Sequence, residues 1–202
     1  MPTYFHVDRA NRLREEGIFT LSSHSSPRWF PGGLSEHGQR YLNGDFQFKF
    51  ANSQGQERGA VSQDTGIELL WELVRLNEYP QAPSRLQSVF AFERLEEARQ
   101  FAEAEQRGTI WEIEVEQPGF RADMSLLKAE PRTGNTLQLA RYYWGQLNDQ
   151  DRSQFPPEFG PPVWEHLLTP PVRVIRRVGI GNHPGEHEIG PRSGAESASV
   201  TS

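Results

Sequence analysis

Apolar positions recur along the chain with distinct periods, and each period predicts an element. Ile67, Leu70, Trp71 and Val74 stand at i, i+3, i+4 and i+7, and Thr65-Gly66-Ile67-Glu68 has capping-box spacing. Residues 65 to 78 are therefore predicted to form an amphipathic helix facing a core, ended by Tyr79-Pro80-Gln81-Ala82-Pro83. Leu86 to Phe92 (LQSVFAF) is a mostly apolar run, suited to a strand buried on both faces. Leu95, Ala98, Phe101 and Ala102 mark a second helix that ends near Gly108. Trp111, Ile113 and Val115 then alternate with Glu112, Glu114 and Glu116, which predicts a strand with one buried and one wet face.

The outer parts of the chain are less regular. Thr3 to Arg9 reads as a strand close to the start. Residues 119 to 125 (GFRADMS) read as a short strand or a turn, and Leu137 to Leu147 as a third helix, in which Tyr142-Tyr143-Trp144 pack one face and only secondarily contact a ligand. Pro156-Pro157 and Gly160-Pro161-Pro162 form a rigid passage into Val163 to Leu168, and Val172 to Ile180 (VRVIRRVGI) reads as a last strand. The stretch between Gly17 and Gly66 is rich in Ser, Gly, Pro, Asn and Gln, which predicts a long irregular excursion with one short strand, Asp45 to Phe50. After residue 180 almost nothing could be buried, so 181–202 is expected to be a flexible tail, disordered from about Pro191. Strands and helices mix without regular alternation, so the fold class is α+β, a mixed or antiparallel sheet with flanking helices. Residues 1–180 are expected to form one domain with an irregular insertion at about 17–64.

Composition narrows the chemistry. A length of 202 residues suits one domain, and 12 Phe, 5 Trp and 5 Tyr can organise a core despite a mean hydropathy of -0.70. No run approaches the roughly 20 apolar residues of a membrane helix, and the first residues lack the apolar run of a secretory signal, so no membrane partner and a cytoplasmic location are expected. Zero cysteine excludes disulfides, thiolate metal sites and a thiol nucleophile. A net charge of -6 argues against long-range attraction to nucleic acid. Among the basic residues only Lys49 and Lys128 are lysines; a GC-rich genome accounts for that bias, and guanidinium also suits phosphates and carboxylates. Nucleotide-binding glycine motifs, G-x-S-x-G and H-E-x-x-H are missing. His183, Glu186, His187 and Glu188 have metal-ligand types but lie in the expected tail and read as surface decoration, so no metal is expected. What remains is an ordered set of strand-borne polar residues in apolar settings: His6, Ser88 beside Phe90, and Glu165.

Those residues resemble a family. YFHVDRANRLREEG, SVFAFERLEEARQFAE, GTIWEIEVEQPGFRAD and VWEHLLTPPVRVIRRV occur in the order of the motifs of the ADP-ribosyltransferase superfamily, histidine-aromatic-glutamate type. They are most similar to small bacterial members of the rifampin ADP-ribosyltransferase kind and to uncharacterised bacterial proteins. The resemblance spans residues 3 to 178 and implies an ADP-ribosyltransferase-like split sheet opening as a cleft. It implies a glycosyltransferase that cleaves the nicotinamide–ribose bond of NAD and passes ADP-ribose to an acceptor, whether protein, nucleic acid or small molecule. Glu165 would stabilise the oxocarbenium-like state, His6 would hydrogen-bond a ribose hydroxyl, and Phe90 would stack on nicotinamide. Arg85 would pair with the pyrophosphate, and in the arginine-serine-glutamate branch Arg9 and Ser88 would take the first two motif positions. Phe90 replaces the usual tyrosine, and Val163 stands where arginine-modifying members carry a second carboxylate, which disfavours an arginine acceptor. A toxin delivered into a target cell, with an immunity or antitoxin partner, belongs to the same expectation. The alternatives are an NAD glycohydrolase in the same site, a metal-independent ribonuclease or phosphodiesterase with His6 and His166 in one cleft, and an inactive binding module.

Overall fold

In the computed structural model, which describes residues 1–23, 30–42, 47–51, 54, 57–61, 63–105 and 108–180, the aromatic opening segment forms β1 (Thr3–Asp8). The chain continues through β2 (Ile18–Phe19), α1 (Glu36–Leu42), β3 (Gln47–Ala51), β4 (Glu57–Val61) and α2 (Gln63–Glu78). Then come β5 (Val89–Ala91), α3 (Leu95–Ala104), β6 (Thr109–Val115), β7 (Phe120–Asp123), α4 (Thr133–Trp144), α5 (Asp149–Arg152), β8 (Trp164–Leu168) and β9 (Val172–Ile180). Among the described residues all strand pairs are antiparallel, and helices flank the sheets, so the class is α+β. One sheet has the order β1-β6-β9-β2 and a second the order β5-β8-β7, while β3 and β4 pair as a separate hairpin. A bridge between Phe5 and Phe92 joins the two larger sheets, each backbone N–H donating to the other's carbonyl at 2.8 Å.

Alternation along the strands divides the core. Val89, Ala91 and Leu168 meet Tyr4, Trp111, Ile113, Val172 and Val174 where the two sheets face each other. On the other side of the second sheet, Leu167 and Ala122 pack with Ile67, Trp71 and Val74 of α2 and with Leu139, Ala140, Tyr143 and Trp144 of α4. The Trp144 indole N–H donates to the Trp71 carbonyl at 2.8 Å, which fixes the two helices against each other. Ala98 and Ala102 bring α3 close to Val7 and Ile110. Among the described residues no helix is long and apolar enough to cross a membrane.

The irregular stretch before α2 differs from expectation. Besides β2, it contains α1 and a two-stranded hairpin, of which β3 overlaps the one short strand expected. The signal for α1 is short: Ser35 caps it by accepting from the Gly38 N–H at 3.2 Å, and no apolar period announces it. The helix holds its place because Gly38 lies against the Leu86 carbonyl, where an added Cβ would come within 2.1 Å of the oxygen. The strand expected from Leu86 begins at Val89, because Arg85–Gln87 form a 3-10 turn capped by Ser84. α4 starts and ends earlier than its apolar residues suggest, and α5 has no apolar period to reveal it. The expectation of a flexible tail falls on 181–202, outside the described residues.

Candidate functional site

Glu165 is a carboxylate on a buried strand, 2% exposed. On β8 successive side chains face opposite ways. Leu167 joins the core under α2 and α4, and Glu165 shares its side; Leu168 faces the other sheet, and His166 shares that side, 5.0 Å from the Tyr4 ring. His166 therefore stands apart from Glu165 although adjacent in sequence. Its pKa is lowered by burial, and Nε2 lies 3.7 Å from Glu93.

On the Glu165 side three elements supply partners. The Tyr143 hydroxyl of α4 donates to Oε1 at 2.7 Å, and Nη1 of Arg85, from the 3-10 turn before β5, donates to the same oxygen. The rest of the Arg85 guanidinium is bound by Glu68 of α2, with Nε to Oε2 at 2.9 Å and Nη2 to Oε1 at 2.9 Å. Phe90 covers the guanidinium, its ring centroid 4.5 Å from the guanidinium carbon. His37 of α1 completes the wall, with Nε2 3.2 Å from Glu68 Oε1 and its ring 4.6 Å from both Phe90 and Tyr41.

The electrostatics follow from this packing. Burial alone would raise the Glu68 carboxyl, but Arg85 and His37 overcome it and hold its pKa at about 2. Burial opposes charge on Arg85, yet Glu165 and Glu68 raise its pKa well above the ordinary value, so it is a permanent cation. Burial, with Glu165 adding to it, raises Tyr143 well above its usual range, so its hydroxyl remains a donor. Two carboxylates around one guanidinium give the cluster one formal negative charge in excess.

A cavity of about 440 Å³ opens against this cluster. His6, Arg9, Phe90 and Glu165 line it from the sheet side, with Arg85 at its base, and His37, Tyr41, Asp64 and Glu68 from the helices. His6 Nδ1 lies 2.7 Å from the Phe90 carbonyl. A carbonyl can only accept, so Nδ1 carries the proton and Nε2 is left as an acceptor. Burial lowers the His6 pKa, which favours this neutral ring.

Of the residues nominated from sequence, His6, Arg9, Phe90, Arg85 and Glu165 share one cavity, and Ser88 does not. Ser88 is 1% exposed, and its hydroxyl donates to the Ser84 carbonyl at 2.7 Å. Arg85, expected to pair with a pyrophosphate, donates in the structure to Glu68, Glu165 and Tyr143, so its charge is met by carboxylates of the protein itself. Arg9 is the more open cation, 44% exposed and paired with Glu105 at 2.9 Å. Glu68 also changes role. It reads from sequence as a capping residue, but α2 begins at Gln63 and the side chain goes to Arg85. His37 was missed because it lies on a helix without a periodic signal. Tyr143 reads from sequence as packing first and as a ligand contact only secondarily; its ring packs, and its hydroxyl reaches Glu165.

No curated protein matches the chain. A family model described as Protein of unknown function (DUF2441) matches residues 4–159, a span that carries His6, His37, Glu68, Arg85, Phe90 and Tyr143 and stops before β8 with Glu165. That match covers well over half of the chain, which therefore belongs to the DUF2441 family.

Proposed function

We propose that this cavity binds NAD and that the protein is an ADP-ribosyltransferase, cleaving the nicotinamide–ribose bond and passing ADP-ribose to an acceptor. One observation carries the reading: His6 on β1, Phe90 on β5 and Glu165 on β8, from two different sheets, line one cavity. They are the residues that the resemblance nominates, in the order it requires. The cavity volume falls in the range of small-molecule sites, roughly 300–1,000 Å³. The excess negative charge of the Arg85 cluster has the sign needed beside a ribose carbon that turns cationic as nicotinamide leaves. Glu165 accepts from Tyr143 and Arg85 through Oε1, so these donors hold its carboxylate in one orientation. Such an orientation suits a hydrogen bond to the ribose hydroxyl. His6 Nε2 accepts a second ribose hydroxyl. Phe90 keeps the stacking surface of the tyrosine that it replaces, with its ring in contact with Arg85 and, in a T-shaped arrangement, with His37. Arg9, at the open side, is the residue suited to the pyrophosphate.

An NAD glycohydrolase uses the same site with water as acceptor. The ribonuclease or phosphodiesterase reading is less well supported, because His166 shares the side of β8 that faces Tyr4 while His6 lines the cavity. The test is incubation of the protein with NAD, scoring free nicotinamide and the NAD-dependent shift in melting temperature. Release of nicotinamide with thermal stabilisation is expected. Stabilisation without release is the result expected of an inactive binding module, and the absence of both effects rejects the reading.

A further inference from the structure

Transfer from NAD needs a group that takes the proton of the incoming nucleophile, and the residues assigned above leave that task open. Glu165 and His6 are committed to ribose hydroxyls. Glu68, with a pKa of about 2, is too weak a base to compete for a hydroxyl proton near neutrality. His37 remains. It is half-buried, lines the cavity, and is flanked by the Phe90 and Tyr41 rings at 4.6 Å each and by Glu68, whose Oε1 is 3.2 Å from Nε2.

The orientation fixes the chemistry. Nε2 is buried and lies 3.2 Å from an oxygen of Glu68, a carboxylate that can only accept, without the geometry of a formed hydrogen bond; a proton on Nε2 is the tautomer that this carboxylate favours in the neutral ring, and it leaves Nδ1 as the base. Glu68 is itself anchored by three contacts from Arg85, so the arrangement is a cation, a carboxylate and an imidazole in series. A carboxylate in that place orients the ring and favours the imidazolium that forms when Nδ1 takes a proton. The other charged or titratable groups that line the cavity with it are Asp64 on α2, Arg85, Tyr41 on α1 itself, and His6, Arg9, Glu105 and Glu165 across it.

We infer that His37, oriented by Glu68, is the general base that deprotonates the nucleophile attacking the ribose; this inference rests on the NAD-cleaving reading above. In that step the C1′–N bond breaks and its electron pair leaves with neutral nicotinamide. A lone pair of the nucleophile oxygen forms the new C1′–O bond, and the oxygen-bound proton passes to His37 Nδ1 and then to solvent.

The experiment compares the native protein, His37→Ala, His37→Gln and Glu165→Gln with NAD, first with water as acceptor and then with added azide, an anionic nucleophile that carries no proton to remove. Free nicotinamide and ADP-ribosyl azide are measured. With water, both His37 variants are expected to lose turnover by on the order of 10²-fold. Azide is expected to restore them to within about tenfold of the native rate, while Glu165→Gln stays slow with both nucleophiles. Glutamine offers Glu68 an amide donor in place of the ring, so rescue of that variant also separates proton transfer from packing. Native turnover in the His37 variants with water overturns the inference, and so does a loss that azide fails to repair. A native protein that releases no nicotinamide with either nucleophile overturns the NAD-cleaving reading as well, and the two failures are thereby distinguished.

Discussion

Two arginines are buried to the same degree in this protein, and they do different work. Arg152 of α5 is 3% exposed and Arg85 is 4% exposed. Arg152 meets one carboxylate, Asp123 at the end of β7, at 2.5 Å, and spends its Nη2 on the Ser125 hydroxyl and the Gly160 carbonyl, both at 3.1 Å. Asp123 in turn accepts from the backbone of Ser125 and of Val163, tying the entry of β8 to the exit of β7. That cluster is charge-balanced and closed. Arg85 meets two carboxylates and a phenol, and it lines a cavity. An ion pair that only fixes loops needs matched charges, because an unmatched buried charge costs several kcal/mol. An excess charge kept beside a cavity is affordable where a ligand or a transition state supplies the opposite sign, which is the basis for placing the chemistry at Arg85 and not at Arg152.

The largest effect that tests this contrast is on stability. Arg152→Leu leaves Asp123 buried without its cation and should cost about 3–5 kcal/mol, read as a lower denaturant midpoint. A cost below about 1 kcal/mol would remove the structural half of the comparison. Glu165→Gln should act in the opposite manner. Nicotinamide release should fall by about 10² to 10³-fold, or roughly 2.7–4 kcal/mol of transition-state stabilisation, while stability changes by less than about 1 kcal/mol because Arg85 keeps Glu68. A large fall in stability with unchanged turnover would make Glu165 the same kind of residue as Asp123.

Acid sharpens the comparison further. The Glu68 carboxyl is depressed from 4.5 to about 2, so its contribution is fully present above its unfolded value and is lost as pH falls from about 4.5 through 2. The difference corresponds to about 3 kcal/mol. Melts of the native protein against pH should decline over that window, and Glu68→Gln should flatten the decline. The smallest effect concerns His6. His6→Ala removes one hydrogen bond made before and during reaction, so calorimetry should find NAD affinity weaker by roughly 1–3 kcal/mol with turnover of the bound substrate little changed. Unchanged affinity in a folded variant would transfer the first-strand role to Arg9.

Local pattern made much of this protein legible. The period of Ile67, Trp71 and Val74 found α2, the alternation of Trp111, Ile113 and Val115 found β6, and apolar runs located β8 and β9, because burial of one face leaves a repeat in the sequence. His6, Phe90 and Glu165 were legible as polar or aromatic residues on apolar strands within an ordered set of motifs. Tertiary structure decided what carries no repeat. α1 is held by a cap and by the contact of Gly38 with Leu86, and the partners of Arg85 come from α2, α4 and β8. A sequence shows that an arginine has charge to place, but the identity of the carboxylates that take it depends on which helices pack across the sheet. For that reason the place of Arg85 at the centre of a buried cluster was not legible from its sequence, and His37 and Glu68 entered the site only once the chain was folded.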